Sequence, residues 1–99
     1  KDRDEVAREL IDIQYDRNDM DFHRGTFRVR GDVLEIFPAD YTDTAVRVEF
    51  FGDEIDGIRQ FDSDSQKSLN NLDHVVISPA DDFYQVLDGT YETLVPGQE

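Results

Sequence analysis

The residues best suited to chemistry in this sequence are arginines placed at alternate positions in stretches with a strand pattern. Arg28, Arg30 and Arg47 alternate there with apolar residues, so their side chains should face away from the core. Arginine is planar, always charged, and able to bind a carboxylate through two parallel hydrogen bonds. A docking surface for an acidic partner is therefore one interpretation. A solvated sheet face balanced by carboxylates such as Glu35 and Asp32 is the other.

Other reactive groups give weak signals or none. The sequence contains no cysteine, which excludes disulfides, thiolate zinc sites and cysteine nucleophiles. Its histidines, His23 and His74, lie far apart along the chain. Neither the phosphate-cradling pattern GxxxxGK(S/T) nor the nucleophile pattern GxSxG is present. We therefore expect a non-catalytic domain with no cofactor and no metal site.

An acidic run leaves one rival interpretation of the chain. Asp62, Asp64 and Gln66 begin like the calcium-binding loop of an EF-hand. The sixth position would then be Lys67 in place of glycine, and the twelfth would be Asp73 in place of glutamate. A polar turn is the simpler interpretation, and a small acidic calcium-binding domain or enzyme is the alternative.

Net charge narrows the choice of partner. The chain has 99 residues and a formal net charge of −14, which repels a phosphate backbone, so we expect no direct nucleic-acid binding. The acidity fits adaptation to high salt as well as it fits an ordinary acidic domain. The absence of cysteine, and of any apolar run of ~18 residues, fits a cytoplasmic protein without a membrane segment.

A helix at the start of the chain is the first element that would support the strands carrying these arginines. Val6 and Leu10 recur at helical spacing and predict a helix over residues 4–14. Asp2 or Asp4 would cap its first turn by accepting hydrogen bonds from backbone N–H groups. The apolar stripe indicates that this helix covers a sheet.

A β-hairpin over residues 26–37 is the next element. The stretch alternates on both sides of a Gly-Asp pair, which is typical of a two-residue turn with glycine at positive φ. The turn determines the register, which pairs Arg28 with Glu35 on the outer face. On the inner face the same register places Phe27 opposite Ile36.

A second hairpin over residues 45–61 repeats this pattern around another Gly-Asp pair. Strict alternation would leave Ile58 on the outer face, so we expect a β-bulge near Gly57 that turns it inward. The residues of the first strand that point outward are Arg47, Glu49 and Phe51.

The rest of the chain completes a small fold. Residues 15–25 and 62–73 predict loops, and strands are expected at about 74–78 and 91–95. The predicted class is α+β, a small antiparallel β-sheet built from two β-hairpins with an N-terminal helix packed against it. A chain of this length fits a single domain over residues 1–99.

Several segments together resemble a known family of interaction domains. The segments are Ile13–Asp19, Arg24–Val33, Ile36–Ala39, Arg47–Ile55, Phe61–Asp62 and Ile77–Ala80. This long pattern, over roughly residues 5–80, is similar to the second domain of the UvrB family, and a related domain occurs in the transcription-repair coupling factor. Residues 81–99 are an unassigned tail, and a start at Lys1 would suit a fragment of a longer protein.

The resemblance implies a function for the outer face. It implies a non-catalytic domain of a nucleotide-excision repair protein that docks onto a UvrA-like damage-sensing ATPase, with DNA and ATP bound by other domains. The same domain of the coupling factor is the alternative. The partner-binding residues that the resemblance implies are Arg17, Arg28, Arg30, Arg47 and Glu49.

All of these except Arg17 are outward strand residues that the hairpin register had already selected. We therefore expect their guanidinium groups to face solvent. Reversing Arg28 or Arg47 to glutamate should then weaken docking without unfolding the domain.

Overall fold

The computed structural model describes residues 1–80 and 92–94. One helix and eight strands are found there: α1 Arg3–Asp12, β1 Asp16–Arg17, β2 Thr26–Arg30, β3 Val33–Phe37, β4 Thr44–Phe51, β5 Glu54–Asp62, β6 Ser68–Asn71, β7 Val75–Ile77 and β8 Glu92–Leu94. Strands β1 to β6 form one sheet in chain order, and β7 pairs with β8. The predicted α+β class, with a helix against a mostly antiparallel sheet, is confirmed.

The helix begins with a capping box. The Asp2 side chain accepts a hydrogen bond from the Glu5 N–H at 2.8 Å, and Glu5 accepts one from the Asp2 N–H at 3.3 Å. Val6 is fully buried against the inner face of the sheet. The helix ends at Asp12, before residue 14, because Gln14 adopts a φ of 77° that a right-handed helix cannot continue.

Both hairpins form with the predicted register. Phe27 lies opposite Ile36 on the inner face, and Arg28 lies opposite Glu35 on the outer face. The turn residues Gly31 and Gly52 have φ values of 58° and 63°. These turns need glycine because other residues are strained at such angles.

The predicted β-bulge lies in the second hairpin. The register on β5 passes from Gly57 to Ile55 while β4 advances by one residue, so Asp56 is the extra residue. Ile58 consequently lies opposite Val48 and is buried in the main core. The bulge is the reason that Ile55 and Ile58 of β5 reach the same side of the sheet.

The prediction of loops over residues 15–25 and 62–73 is wrong in part, because each contains a short strand. β1 pairs in parallel with β2, and β6 pairs antiparallel with β5. Every residue of these two strands is exposed. They therefore lack the alternation of apolar and polar residues by which a strand is recognised.

Strands β7 and β8 lie near the predicted positions. Leu94 on β8 is fully buried and packs in the main core with Val75 and Ile77 of β7. The other residues of the predicted tail, 81–91 and 95–99, lie outside the described residues. That residues 1–99 form a single domain remains a prediction.

A buried tyrosine joins three segments of the fold. The Tyr15 hydroxyl donates a hydrogen bond to the Ser78 carbonyl oxygen at 2.8 Å and accepts one from the Ala39 N–H at 2.9 Å. Burial of the ring raises the pKa of Tyr15 to about 12, although the Ala39 hydrogen bond acts in the opposite direction. The hydroxyl therefore links the segment after α1 to the ends of β3 and β7.

Replacing Tyr15 by Phe should lower the free energy of unfolding by about 1–3 kcal/mol, since two partly buried backbone groups lose their partner. Because the folded pKa is raised, the hydroxyl contributes fully below about pH 10, the ordinary tyrosine pKa. That contribution is lost as the pH rises through the folded pKa of about 12. Urea titrations of both proteins between neutral and alkaline pH measure the difference. If the difference in free energy of unfolding between the two proteins stayed constant over this pH range, the stabilising role of the Tyr15 hydroxyl would be contradicted.

Candidate protein-docking site

A row of polar side chains crosses the outer face of the sheet, opposite the helix and main core. It contains one residue from each of the strands β2 to β6, and each lies beside the next in the register. The residues in strand order are Arg28, Glu35, Arg47, Arg59 and Asn71. The row therefore carries three cations and one carboxylate on adjacent strands.

Glu35 lies between two of the arginines in this row and binds both of them. Its Oε1 accepts a hydrogen bond from Arg28 Nε at 2.5 Å, and its Oε2 accepts one from Arg47 Nε at 2.7 Å. The Glu35 side chain is only 7% exposed. A buried carboxylate is tolerated when both oxygens accept charge-assisted hydrogen bonds in this way.

Aromatic rings also pack against the guanidinium groups of Arg28 and Arg47. The Arg28 guanidinium lies 4.3 Å from the centroid of the Phe22 ring, and that of Arg47 lies 4.6 Å from the centroid of the Phe61 ring. Both distances are short enough for cation–π attraction. Phe22 and Phe61 also stack on each other, and Phe22 contacts Phe37. A second, smaller apolar cluster thus forms on the outer face.

The prediction that Arg28 and Arg47 lie on the outer face is confirmed, but the expectation that both guanidinium groups face open solvent is wrong. The Arg28 and Arg47 side chains are 12% and 22% exposed. The physical reason is that both Nε atoms donate hydrogen bonds to the buried Glu35, while Phe22 and Phe61 pack against the guanidinium groups. Reversal to glutamate would place two carboxylates together in this half-buried site, so such variants should lose stability as well.

Among the described residues, the terminal nitrogens of these two arginines make a single hydrogen bond. Arg28 Nη2 donates to Gln66 Oε1 at 2.8 Å. Within residues 1–80 and 92–94, Arg47 makes its hydrogen bond through Nε alone. Its Nη groups are therefore available to an acceptor on another molecule.

Arg17 and Arg30 lie toward the β1 edge of the sheet and are exposed. Arg17 forms an ion pair with Asp19 at 3.0 Å, which lowers the pKa of Asp19 and raises that of Arg17. The Val29 N–H and the charge of Arg30 lower the pKa of Asp19 further. Arg17 and Arg30 are thus both close to this carboxylate, and neither is covered by the domain.

Glu49 lies on the outer face with Arg30, whereas Arg17 lies beside the inner-face residue Phe27 in the register. Glu49 also has a partner that the sequence interpretation had missed. Arg59 Nε lies 3.5 Å from Glu49 Oε1, and the Arg59 side chain is 45% exposed. A signal for Arg59 was present in the sequence. A bulge near Gly57 that turns Ile58 inward necessarily turns the next residue outward.

The acidic run at residue 62 forms a turn between β5 and β6. Asp62 Oδ1 accepts hydrogen bonds from the N–H groups of Asp64 and Ser65, at 2.9 and 2.8 Å. These backbone hydrogen bonds lower the pKa of Asp62. Within residues 1–80 and 92–94, no three histidine or acidic side chains lie together as a metal ion would require. In the same part of the chain, no helix is long and apolar enough to cross a membrane.

The fold is that of a small α+β domain whose outer face is charged. Comparison with protein families gives a match to the UvrB interaction domain over residues 1–83. The chain therefore belongs to the UvrB interaction domain family. Members of this family are interaction domains and not catalytic domains. The predicted family is confirmed.

Individual relatives agree with this assignment. UvrABC system protein B of Caldicellulosiruptor saccharolyticus is 65% identical over 80 residues, and that of Agathobacter rectalis is 64% identical over 80 residues, in each case 81% of this chain. The protein of the same name from Clostridium botulinum strain Langeland is 59% identical over 83 residues, 84% of this chain. The chain spans 12% of the length of each of these relatives.

Proposed function

We propose that this chain is a docking domain of a nucleotide-excision repair protein and that it binds a UvrA-like damage-sensing ATPase in the cytoplasm. The observation that carries the proposal is the outer-face row, in which arginines are held in place on a domain whose net charge is −14. Membership of the UvrB interaction domain family supports a partner within the UvrABC system. The residues that we propose to contact the partner are Arg17, Arg28, Arg30, Arg47 and Glu49.

The row is suited to docking because its arginines are already ordered. Glu35 and the phenylalanine rings hold the guanidinium groups of Arg28 and Arg47, so little side-chain entropy remains to be lost on binding. Free Nη groups on a fixed guanidinium favour a carboxylate that accepts in the same plane. The proposed partner therefore presents acidic side chains to this face.

Nucleic acid is a poorer fit to the domain as a whole. A net charge of −14 repels a polyphosphate at distances longer than the contact itself. We therefore propose that DNA and ATP are bound by other domains of the full-length protein, as the family resemblance implies. The function of this domain would then be to join the repair protein to its sensor.

Arg30→Glu tests this proposal without disturbing the Glu35 pairs. Arg30 is exposed and makes no hydrogen bond to Glu35, so the variant should fold normally. Reversing an interfacial charge should weaken binding to a purified UvrA protein by about tenfold or more, equivalent to ~1.4 kcal/mol. Titration calorimetry measures the dissociation constant, and circular dichroism verifies the fold.

Arg8→Glu is the matched control, because Arg8 is an exposed arginine on the helix, away from the outer face. The control should bind like the wild type. Raising the salt concentration should weaken wild-type binding, since exposed charges are screened. Equal affinity of the Arg30→Glu variant and the wild type would show that the assigned face is wrong.

A further inference from the structure

Arg47 and Arg59 form an unfavourable pair of neighbours. They lie directly opposite each other on the antiparallel strands β4 and β5, with both side chains on the outer face. Residues in this relation have Cα atoms about 4.5–5.5 Å apart, and like charges there are destabilising. Folding alone does not favour two arginines at these positions.

The carboxylates of the domain compensate this pair only in part. Glu35 accepts from Arg47 Nε at 2.7 Å, but it also serves Arg28. Glu49 reaches Arg59 Nε only at 3.5 Å, which is a weak ion pair at an exposed site. Three guanidinium groups therefore share two carboxylates, and within the described residues the Nη groups of Arg47 and Arg59 have no acceptor.

A recess beside Arg59 leaves room for a ligand group. It has a volume of about 290 Å³ and is bordered by Glu49, Asp56, Gly57 and Asn71 among others. Gly57 contributes no side chain to it, and Asp56 forms no ion pair with Arg59 within residues 1–80 and 92–94. Another molecule can therefore reach the Arg59 guanidinium beside this recess, whose own border carries the carboxylates of Glu49 and Asp56.

We propose that Arg47 and Arg59 together bind a carboxylate from an acidic segment of the partner protein, which makes Arg59 a further partner-binding residue. This inference rests on the docking function proposed above. A carboxylate has two oxygens, so each guanidinium can donate to one of them through its free Nη groups. A bound carboxylate also removes the repulsion between the two arginines. We assign this carboxylate to a protein segment because the docking function proposed above has a protein partner. The attraction is local to the two guanidinium groups, since the net charge of −14 repels acidic segments and polyphosphates alike.

Arg59→Gln tests the inference by separating affinity from stability. The variant should bind a purified UvrA protein about tenfold more weakly, as measured by titration calorimetry. Its melting temperature at low salt should be unchanged or higher than that of the wild type, because the like-charge pair is removed. Arg8→Gln makes the same chemical change on the helix and should alter neither the affinity nor the effect of salt on it.

The possible outcomes are distinguishable. If the wild type binds and the Arg59→Gln variant binds with the same affinity, the inference is overturned, but the proposed docking function is not. A lower melting temperature in Arg59→Gln shows that Arg59 is a structural partner of Glu49, and it also overturns the inference. No binding by the wild type overturns both proposals. Binding of a single-stranded oligonucleotide that depends on Arg59 would show that the class of ligand is wrong.

Discussion

Replacing Glu35 by Gln should lower the free energy of unfolding by about 3 kcal/mol, since it breaks a largely buried charge network. The amide carries no charge and can offer only its one oxygen as an acceptor, so one arginine Nε loses its partner. Both guanidinium groups would remain covered by phenylalanine rings without a compensating charge. A buried charge without a partner is among the largest single contributions to instability.

Urea titration measures this loss, with Glu54→Gln as the matched control. Glu54 is exposed on β5, so the same chemical change there should alter the free energy of unfolding by at most about 0.5 kcal/mol. The loss at Glu35 should persist in 1 M salt, where exposed ion pairs are screened within about 3 Å. If the two substitutions changed the free energy of unfolding equally, Glu35 would not be stabilising the fold through its two arginine partners.

Replacing Phe27 by Ala should destabilise the fold by about 3–5 kcal/mol, through lost burial and the cavity left behind. Phe27 is fully buried in the main core opposite Ile36. Phe51→Ala is the control, because Phe51 is 79% exposed at the end of β4 and should change stability by less than about 0.5 kcal/mol. An unshifted melting temperature for Phe27→Ala would contradict the register of the first hairpin.

On the outer face, the same side chains contribute to stability and to the proposed binding of the partner. Arg28 and Arg47 satisfy Glu35, and their remaining Nη groups are the ones proposed to meet the partner. Substitutions there change both properties, so lost docking in such a variant could follow from unfolding alone. Arg30 and Arg59 are the better probes, because their side chains are more exposed and do not contact Glu35.

The two hairpins show how much could be predicted from local sequence. Each Gly-Asp turn requires a residue at positive φ at one position, and that requirement sets the register of every pair that follows. Alternation then assigns each side chain to a face. The bulge followed from the same reasoning, because Ile55 and Ile58 are both apolar and could reach one face only with an extra residue between them.

The edge strands β1 and β6 could not be predicted in this way. Their residues are all exposed, so burial imposes no pattern on the sequence. They are strands because the neighbouring strands β2 and β5 offer unpaired backbone groups. Similarly, nothing local to Tyr15 indicates that its hydroxyl meets Ser78, which is far along the chain.

For the proposed docking surface, local sequence is enough to predict which face carries the arginines, since side-chain direction follows from strand period and turn type. The exposure of these arginines depends instead on tertiary packing. Phe22 comes from an irregular segment and Phe61 from β5, and both pack over the guanidinium groups that Glu35 holds. Such contacts join residues from separate segments and depend on how those segments pack, which no local pattern of residues records.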